Sequence, residues 1–409
     1  MNAEWIMSFI EDVSKFGQTY NGGVNRLGFT EIDCIATDYV ISILKDLGFI
    51  VDIDSFGNIF AKLNDNVSNN KIVATGSHLD TVPNGGIFDG VLGVASSIAA
   101  IMAIKKEGIK LSHPLELIIF RLEESSRFGC PTMGSKVISG KYQKGMWDNL
   151  RDRDNISLFD AMKKSGFNLN NAEKSIKSSE NYKSFIELHI DSGGDLYRAC
   201  KPIGIAEAIA APLRAKVTIH GEISHSGAAN MKDRRDALVS AAEFILSVRN
   251  FAMAYADMGI RATVGSIDAF PNAINVVCGL AELYIDLRGT DKSIMDEVYN
   301  LIKNESSKIA LRRKTPIEIS FISEEYPVKM DNHIYSIIKS SCNDLGIDSQ
   351  NIISGAGHDA MNMANITPSG MIFVRGSEGG SHRIDEYASL DDINLGLSVL
   401  KDTLCRLAY

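Results

Sequence analysis

Three histidines and four carboxylates stand where apolar stretches give way to loops. His78 and Asp80 fall in Gly76-Ser77-His78-Leu79-Asp80, and Asp89 lies between Phe88 and Gly90. Glu123 and Glu124 end the run that begins at Leu115, His189 sits in Glu187-Leu188-His189-Ile190, and His382 follows Gly380-Ser381. Imidazole nitrogens with carboxylate oxygens suit borderline-soft divalent ions such as Zn²⁺ or Mn²⁺. One carboxylate can also bridge two ions about 3.5–4 Å apart. Taken singly, each histidine is more simply a hydrogen-bonded core or surface residue, and Glu123-Glu124 a solvated acidic pair. The weight lies in the set, which apolar strands deliver to one rim.

These residues need a frame that brings strand ends together. Lys71–Thr75, Leu115–Leu122 and Ser184–Ile190 read as buried strands, with a helix over Val91–Lys106 and another over Glu31–Leu47. Strands separated by helices imply a mainly parallel α/β sheet, whose ligands bind beyond the carboxyl ends of the strands. The polar stretch 141–183 reads as surface helices and connections. Near residue 209 the pattern changes. Leu213–Gly221 alternates polar and apolar residues, as a half-exposed strand does. Helices over Asp236–Asp257 and Lys292–Leu311 then mix with strands over Arg261–Ile267, Asn275–Asp286 and Pro316–Ser323. After Tyr326 the α/β character returns, and Ser389 with Asp392 marks the start of a terminal helix. The expected architecture is an α/β, mainly parallel-sheet domain (1–208 and 326–409) interrupted by an inserted α+β sandwich (209–325).

Composition narrows the function classes. The 51 acidic and 42 basic side chains leave a net charge of −9, which argues against a nucleic-acid partner, since phosphate contacts need clustered Lys and Arg. With 45% hydrophobic and 23% charged residues the chain is ordinarily globular. No uninterrupted apolar run reaches the length of a membrane span, and Met1–Trp5 lacks a basic leader before an apolar core. The six cysteines contain no C-x-x-C pair, so they read as reduced thiols in a cytoplasmic protein. The glycines around Gly85–Gly93 do not follow G-x-G-x-x-G, which removes a dinucleotide site.

The run Gly76–Gly93, GSHLDTVPNGGIFDGVLG, resembles the metal-binding signature of the dinuclear-zinc amidohydrolase and exopeptidase superfamily. RLEESSRFG, ELHI, PNAINVV, SGAGHDA and GGSH are similar to the branch containing allantoate amidohydrolase, N-carbamoyl-L-amino acid hydrolase and yeast-type β-ureidopropionase. The resemblance covers nearly the whole chain. It implies two divalent ions per subunit, zinc first, with manganese, cobalt or nickel as alternatives. It assigns His78, Asp89, Glu124, His189 and His382 as ligands, with Asp89 bridging. Asp80 would orient His78 by accepting its second N–H, and Glu123 would be the general base. In the inserted lid and dimerisation domain, His225 would stabilise the oxyanion, Asn272 and Asn275 would reach the substrate in the partner's site, and Arg288 would hold its carboxylate. His358 and Ser192 would line the pocket. From the residues alone, Arg288 is equally a salt-bridged strand-end arginine, and His358 equally a structural turn residue.

This chain departs from the branch where substrate is read. Asp191-Ser192-Gly193 replaces Glu-Gln-Gly, and Ser226-Gly227-Ala228-Ala229-Asn230-Met231 replaces Ala-Gly-Thr-Thr-Pro-Met. Arg375-Gly376 replaces Pro-Ser, an added guanidinium that would favour a further acidic group. The implied function is hydrolysis of a non-peptide C–N bond in a ureido or N-carbamoyl amino acid by a homodimer. The alternatives are an aminoacylase or dipeptidase using the same metals, and a non-catalytic binding homologue.

Overall fold

The computed structural model describes residues 1–64 and 71–409. The chain forms two compact units, one of Met1–Ala208 with Met330–Tyr409 and one of Ile209–Lys329. In chain order the strands are β1 (Phe49–Ile53), β2 (Ile59–Leu63), β3 (Ile72–His78), β4 (Leu115–Phe120), β5 (Tyr182–Ile190) and β6 (Ile203–Ile209). The smaller unit contributes β7 (Ala211–His220), β8 (Ser224–His225), β9 (Arg261–Phe270), β10 (Val276–Val277), β11 (Leu280–Gly289) and β12 (Ile317–Glu324). After the two-residue β13 (Val328–Lys329), β14 (Ser349–Ser354) and β15 (Ser369–Val374) complete the series.

The large sheet runs β1-β2-β4-β3-β5-β15-β6, with β14 also paired to β6. Its centre is parallel: β3 pairs in parallel with β4 and β5, and β15 with β5. Every residue of β4 and β15 is buried, as expected of strands covered on both faces. The margins are antiparallel, where β1 pairs with β2, β2 with β4, and β15 with β6. The β1–β2 hairpin escapes a reading of the sequence because its strands are short and mixed in polarity. Its turn is built by Asp54, whose Oδ1 accepts the N–H groups of Phe56, Gly57 and Asn58.

The helix Val91–Lys106 is buried nearly all round, and Ile98, Ala99 and Ile101 join the main core with Leu117, Leu188 and Leu400. It starts at Gly90, whose φ is +68° and whose Cα faces His78 so closely that a Cβ would lie 2.5 Å from the imidazole. Only glycine meets both demands. The stretch 141–183 is less superficial than its polarity suggests. It forms a helix over Leu158–Lys164, and buries Trp147, Leu158 and Met162 against Phe29, Phe56 and Phe128 in a second core.

In the smaller unit an antiparallel sheet, ordered β12-β7-β11-β9, carries the helices Ala237–Ala254 and Lys292–Arg313. Asp236 and Asp291 cap them by accepting N–H groups of their first turns. The stretch expected as one strand, Asn275–Asp286, divides into β10 and β11. The break falls at Gly279, which packs so tightly on Ile223 that a Cβ would sit 2.5 Å from it. By length and composition the helix Ala237–Ala254 would suffice to cross a membrane. In the fold it buries Ala237, Ala241, Phe244 and Val248 against the sheet, and its Glu243 is ion-paired with Arg312 and Arg313.

Candidate metal centre

β3 and β5 end side by side and deliver His78 and His189 to the same rim. Each imidazole is fixed from behind. The Nδ1–H of His78 donates to the carbonyl of Asp80 at 2.9 Å, and that of His189 to the carbonyl of Ile190 at 2.9 Å. A carbonyl only accepts, so both Nε2 atoms face forward without that proton. Both then lie 3.3 Å from the same oxygen, Asp89 Oδ1. Two ring nitrogens and a carboxylate oxygen facing one another need a cation between them, either protons or a metal ion. The other oxygen, Oδ2, lies 3.4 Å from His382 Nε2, which is 3.0 Å from Glu124 Oε1. The atoms of each trio lie within 4.8 Å of one another. Ligands about 2.0–2.2 Å from a tetrahedral ion stand about 3.3–3.6 Å apart, so the donors fit such an ion.

The electrostatics are those of a cage closed around positive charge. Burial works against a charged His78, yet Glu123, Asp89 and Asp80 outweigh it and hold the ring well above its ordinary pKa. Burial likewise resists charge on His189, but Asp89 and Glu187 raise it. The hydrogen bond with Glu124 lifts His382 to about 9. Burial opposes the charge of Asp89, but His189 and His78 hold it well below the usual carboxylate range. Glu123 stands 3.8 Å from His78 Nε2. Burial, reinforced by Glu124, Asp359 and Asp80, pushes it well above the ordinary value despite His78.

Asp80 acts differently from expectation. Its backbone carbonyl, not its carboxylate, takes the imidazole N–H; Oδ1 is 3.7 Å away. The carboxylate instead accepts the backbone N–H groups of Glu123 at 3.2 Å and Glu124 at 3.0 Å. It thus ties the end of β4 to the end of β3. His358 is buried edge-on to His189, with ring centres 4.6 Å apart, and its Nε2 is 2.9 Å from Ser354 Oγ. Burial and His189 keep its pKa well below the ordinary value. Ser192 lines a hollow of about 220 Å³ with Asp191, Ser354 and Phe373. Phe373 also packs edge-on to His189 and His358, with ring centres 6.4 and 5.5 Å away. The fork of Arg375 is held by Asp392 at the start of the last helix, at 3.0 and 3.1 Å.

The remaining expected residues belong to the smaller unit. His225 is exposed on β8, which pairs with β10 in a two-stranded ladder. Arg234 folds the altered loop behind it by donating to the carbonyls of Ser226 and Ala229. Asn272 follows the cis Phe270–Pro271 bond at φ +57°, and both it and Asn275 are exposed. Arg288 is ion-paired with its strand neighbour Asp286 at 2.7 Å.

Residues 74–406 match the model of peptidase family M20/M25/M40. The chain belongs to this family. Among M20/M25/M40 relatives, it is 34% identical to an N-carbamoyl-L-amino-acid amidohydrolase of Pseudomonas sp., over 99% of this chain and 98% of that protein. It is 31% identical to the allantoate amidohydrolase of Bacillus subtilis, over 99% and 97%. A solved hydantoinase/carbamoylase-family amidase of Burkholderia multivorans superposes with a TM-score of 0.91 at 28% identity, covering 100% of this chain and 98% of that one.

Three buried carboxylates around the M20 cage carry no role in the sequence reading. Glu187 accepts from Ser77 Oγ and from the N–H of Ala360, both at 2.9 Å. Asp359 accepts from Ser135 at 2.5 Å. Glu386 accepts the N–H groups of Phe88 and Asp89. Glu187 alone had a visible signal: it shares a strand face with His189, and a buried carboxylate needs partners.

Proposed function

We propose that this chain is a dinuclear metal-dependent amidohydrolase that cleaves the ureido C–N bond of an N-carbamoyl or ureido amino acid. The observation carrying this reading is the shared Asp89: one oxygen faces His78 and His189, the other His382, which also meets Glu124. Those residues would hold two divalent ions, zinc first, and such ions supply Lewis acidity and lower the pKa of water. Glu123 takes a proton from the water that adds to the ureido carbonyl. It hands that proton to the amino nitrogen as the C–N bond breaks, releasing amine and carbamate, which decays to ammonia and carbon dioxide. Burial pushes its pKa upward, the direction that favours holding a proton between taking it and returning it. N-carbamoyl amino acids and allantoate share a ureido group on the carbon bearing a carboxylate, so a cationic or hydrogen-bonding clamp for that carboxylate is required.

That clamp and the oxyanion donor are assigned to the 209–329 unit, acting as lid and dimerisation domain. His225 donates to the developing oxyanion, Asn272 and Asn275 contact the substrate, and Arg288 binds the carboxylate by exchanging Asp286 for it. Ser192 and His358 line the pocket. A homodimer would supply the His225 set from a second copy. Val239, Leu246 and Met253 support it, because they recur every seven residues as exposed apolar side chains on one helix face. The edge strand β9 lies beside that helix. Six cysteines, none in a disulfide, support a cytoplasmic setting.

The test is a substrate panel with metal-reconstituted protein. Ammonia release from N-carbamoyl-L-amino acids or allantoate is expected. Free amino acid from N-acetyl amino acids or dipeptides, with no ureido turnover, would make the enzyme an aminoacylase or dipeptidase instead.

A further inference from the structure

We infer that Glu386 is a positioning residue for one half of the cage: it sets the spacing between Asp89 and His382, and so the affinity of the ion held by Asp89, Glu124 and His382. The inference rests on the dinuclear reading above. Its basis is an asymmetry between the two halves. His78 and His189 are each locked by a backbone carbonyl at 2.9 Å. His382 instead sits on a loop in the left-handed region at φ +64°, with 51% of its side chain exposed. Its place depends on how that loop docks.

Glu386, four residues later, performs the docking. Its Oε1 accepts the N–H of Phe88 at 3.0 Å and of Asp89 itself at 2.7 Å. A single oxygen therefore joins the loop of His382 to the backbone of the bridging aspartate. The carboxylate is buried, and its Oε2 has no hydrogen-bond partner among the described residues. Such a group is costly to bury, and it occupies this place because the two N–H groups must be gathered. Gly86 makes room for it: a Cβ there would stand 2.4 Å from Oε2. Tyr387 adds an edge contact to Phe88, with ring centres 6.0 Å apart. Asp89 is shared by both halves, but His78 and His189 keep their own carbonyl locks, so the loss of this carboxylate falls mainly on the ion that also needs His382.

Metal-free protein titrated with Co²⁺, followed by visible absorbance and by metal analysis after dialysis, tests this. Wild type should bind two ions, and His382→Ala should retain one tightly. Glu386→Ala should weaken the second ion about 10–100-fold, as loss of a partner supporting a metal ligand does, leaving the first within about threefold. Glu386→Gln keeps an oxygen for both N–H groups and should recover most of that loss. Gly86→Ala, whose methyl displaces an intact Glu386, should weaken the same ion, and stands in for Glu386→Ala if that variant does not fold. Two ions bound as in wild type by Glu386→Ala, equal weakening of both ions, or no recovery in Glu386→Gln would each overturn the inference. Wild type binding no ion would sink the metal-centre reading itself, a separate result.

Discussion

His78, His189, Asp89, Glu123 and Glu124 are all buried, and backbone carbonyls, the Asp80 carboxylate or Glu386 lock the backbone or ring of each. In the 209–329 unit, His225, Asn272 and Asn275 lie exposed, held by a two-residue ladder and a loop folded on Arg234. The contrast follows from desolvation. A cluster of acceptors removed from water must gain a cation, and must be held rigidly enough that the cation pairs with all of them. Exposed groups keep their water. On the proposed function, the first set would be the preformed metal site and the second the groups that meet the substrate.

Breaking the two sets separately should give different signatures. Glu123→Gln should lower kcat by about 10²–10⁴-fold, the usual worth of a general acid–base, with two metals still found by elemental analysis. Full activity in that variant would remove Glu123 from the mechanism. His225→Ala should cost about 10²–10³-fold in kcat, as an oxyanion donor does, with metal content again unchanged. A shift in metal stoichiometry there would erase the distinction between the two sets.

A smaller effect is expected with pH. In the metal-free protein His78 and His189 are raised, and His382 sits at about 9. A metal must displace the protons they hold. Metal affinity should therefore rise as pH climbs toward about 9, and binding at pH 7 should release protons. Calorimetry in buffers of different ionisation enthalpy measures this, and pH-independent affinity would contradict the assigned ligands. The His225 set should leave that dependence untouched.

Much of this was legible along the chain. The helix Val91–Lys106 lies where its apolar run places it, and Ser389 caps the last helix through the N–H of Asp392 at 3.1 Å. The parallel centre of the sheet follows from strands buried on both faces. The β1–β2 hairpin did not show, nor did the small core around Trp147, because both mix polar and apolar residues without a clean period. Arg375 and Arg288 show what the chain leaves unsaid. A charged side chain advertises a charge but not its partner, and Asp392 and Asp286 had already engaged them.

What the sequence determined alone was chemical kind and local order: which side chains can bind a cation, that they end apolar strands, and which family such motifs resemble. Tertiary structure decided which atoms face which. Asp80 offers His78 its carbonyl and spends its carboxylate on the backbone of Glu123 and Glu124, and Glu386 reaches back 297 positions to Asp89. Such pairings depend on distances across the sheet rather than along the chain. No local period encodes them, because the partner's position exists only once the strands are laid side by side.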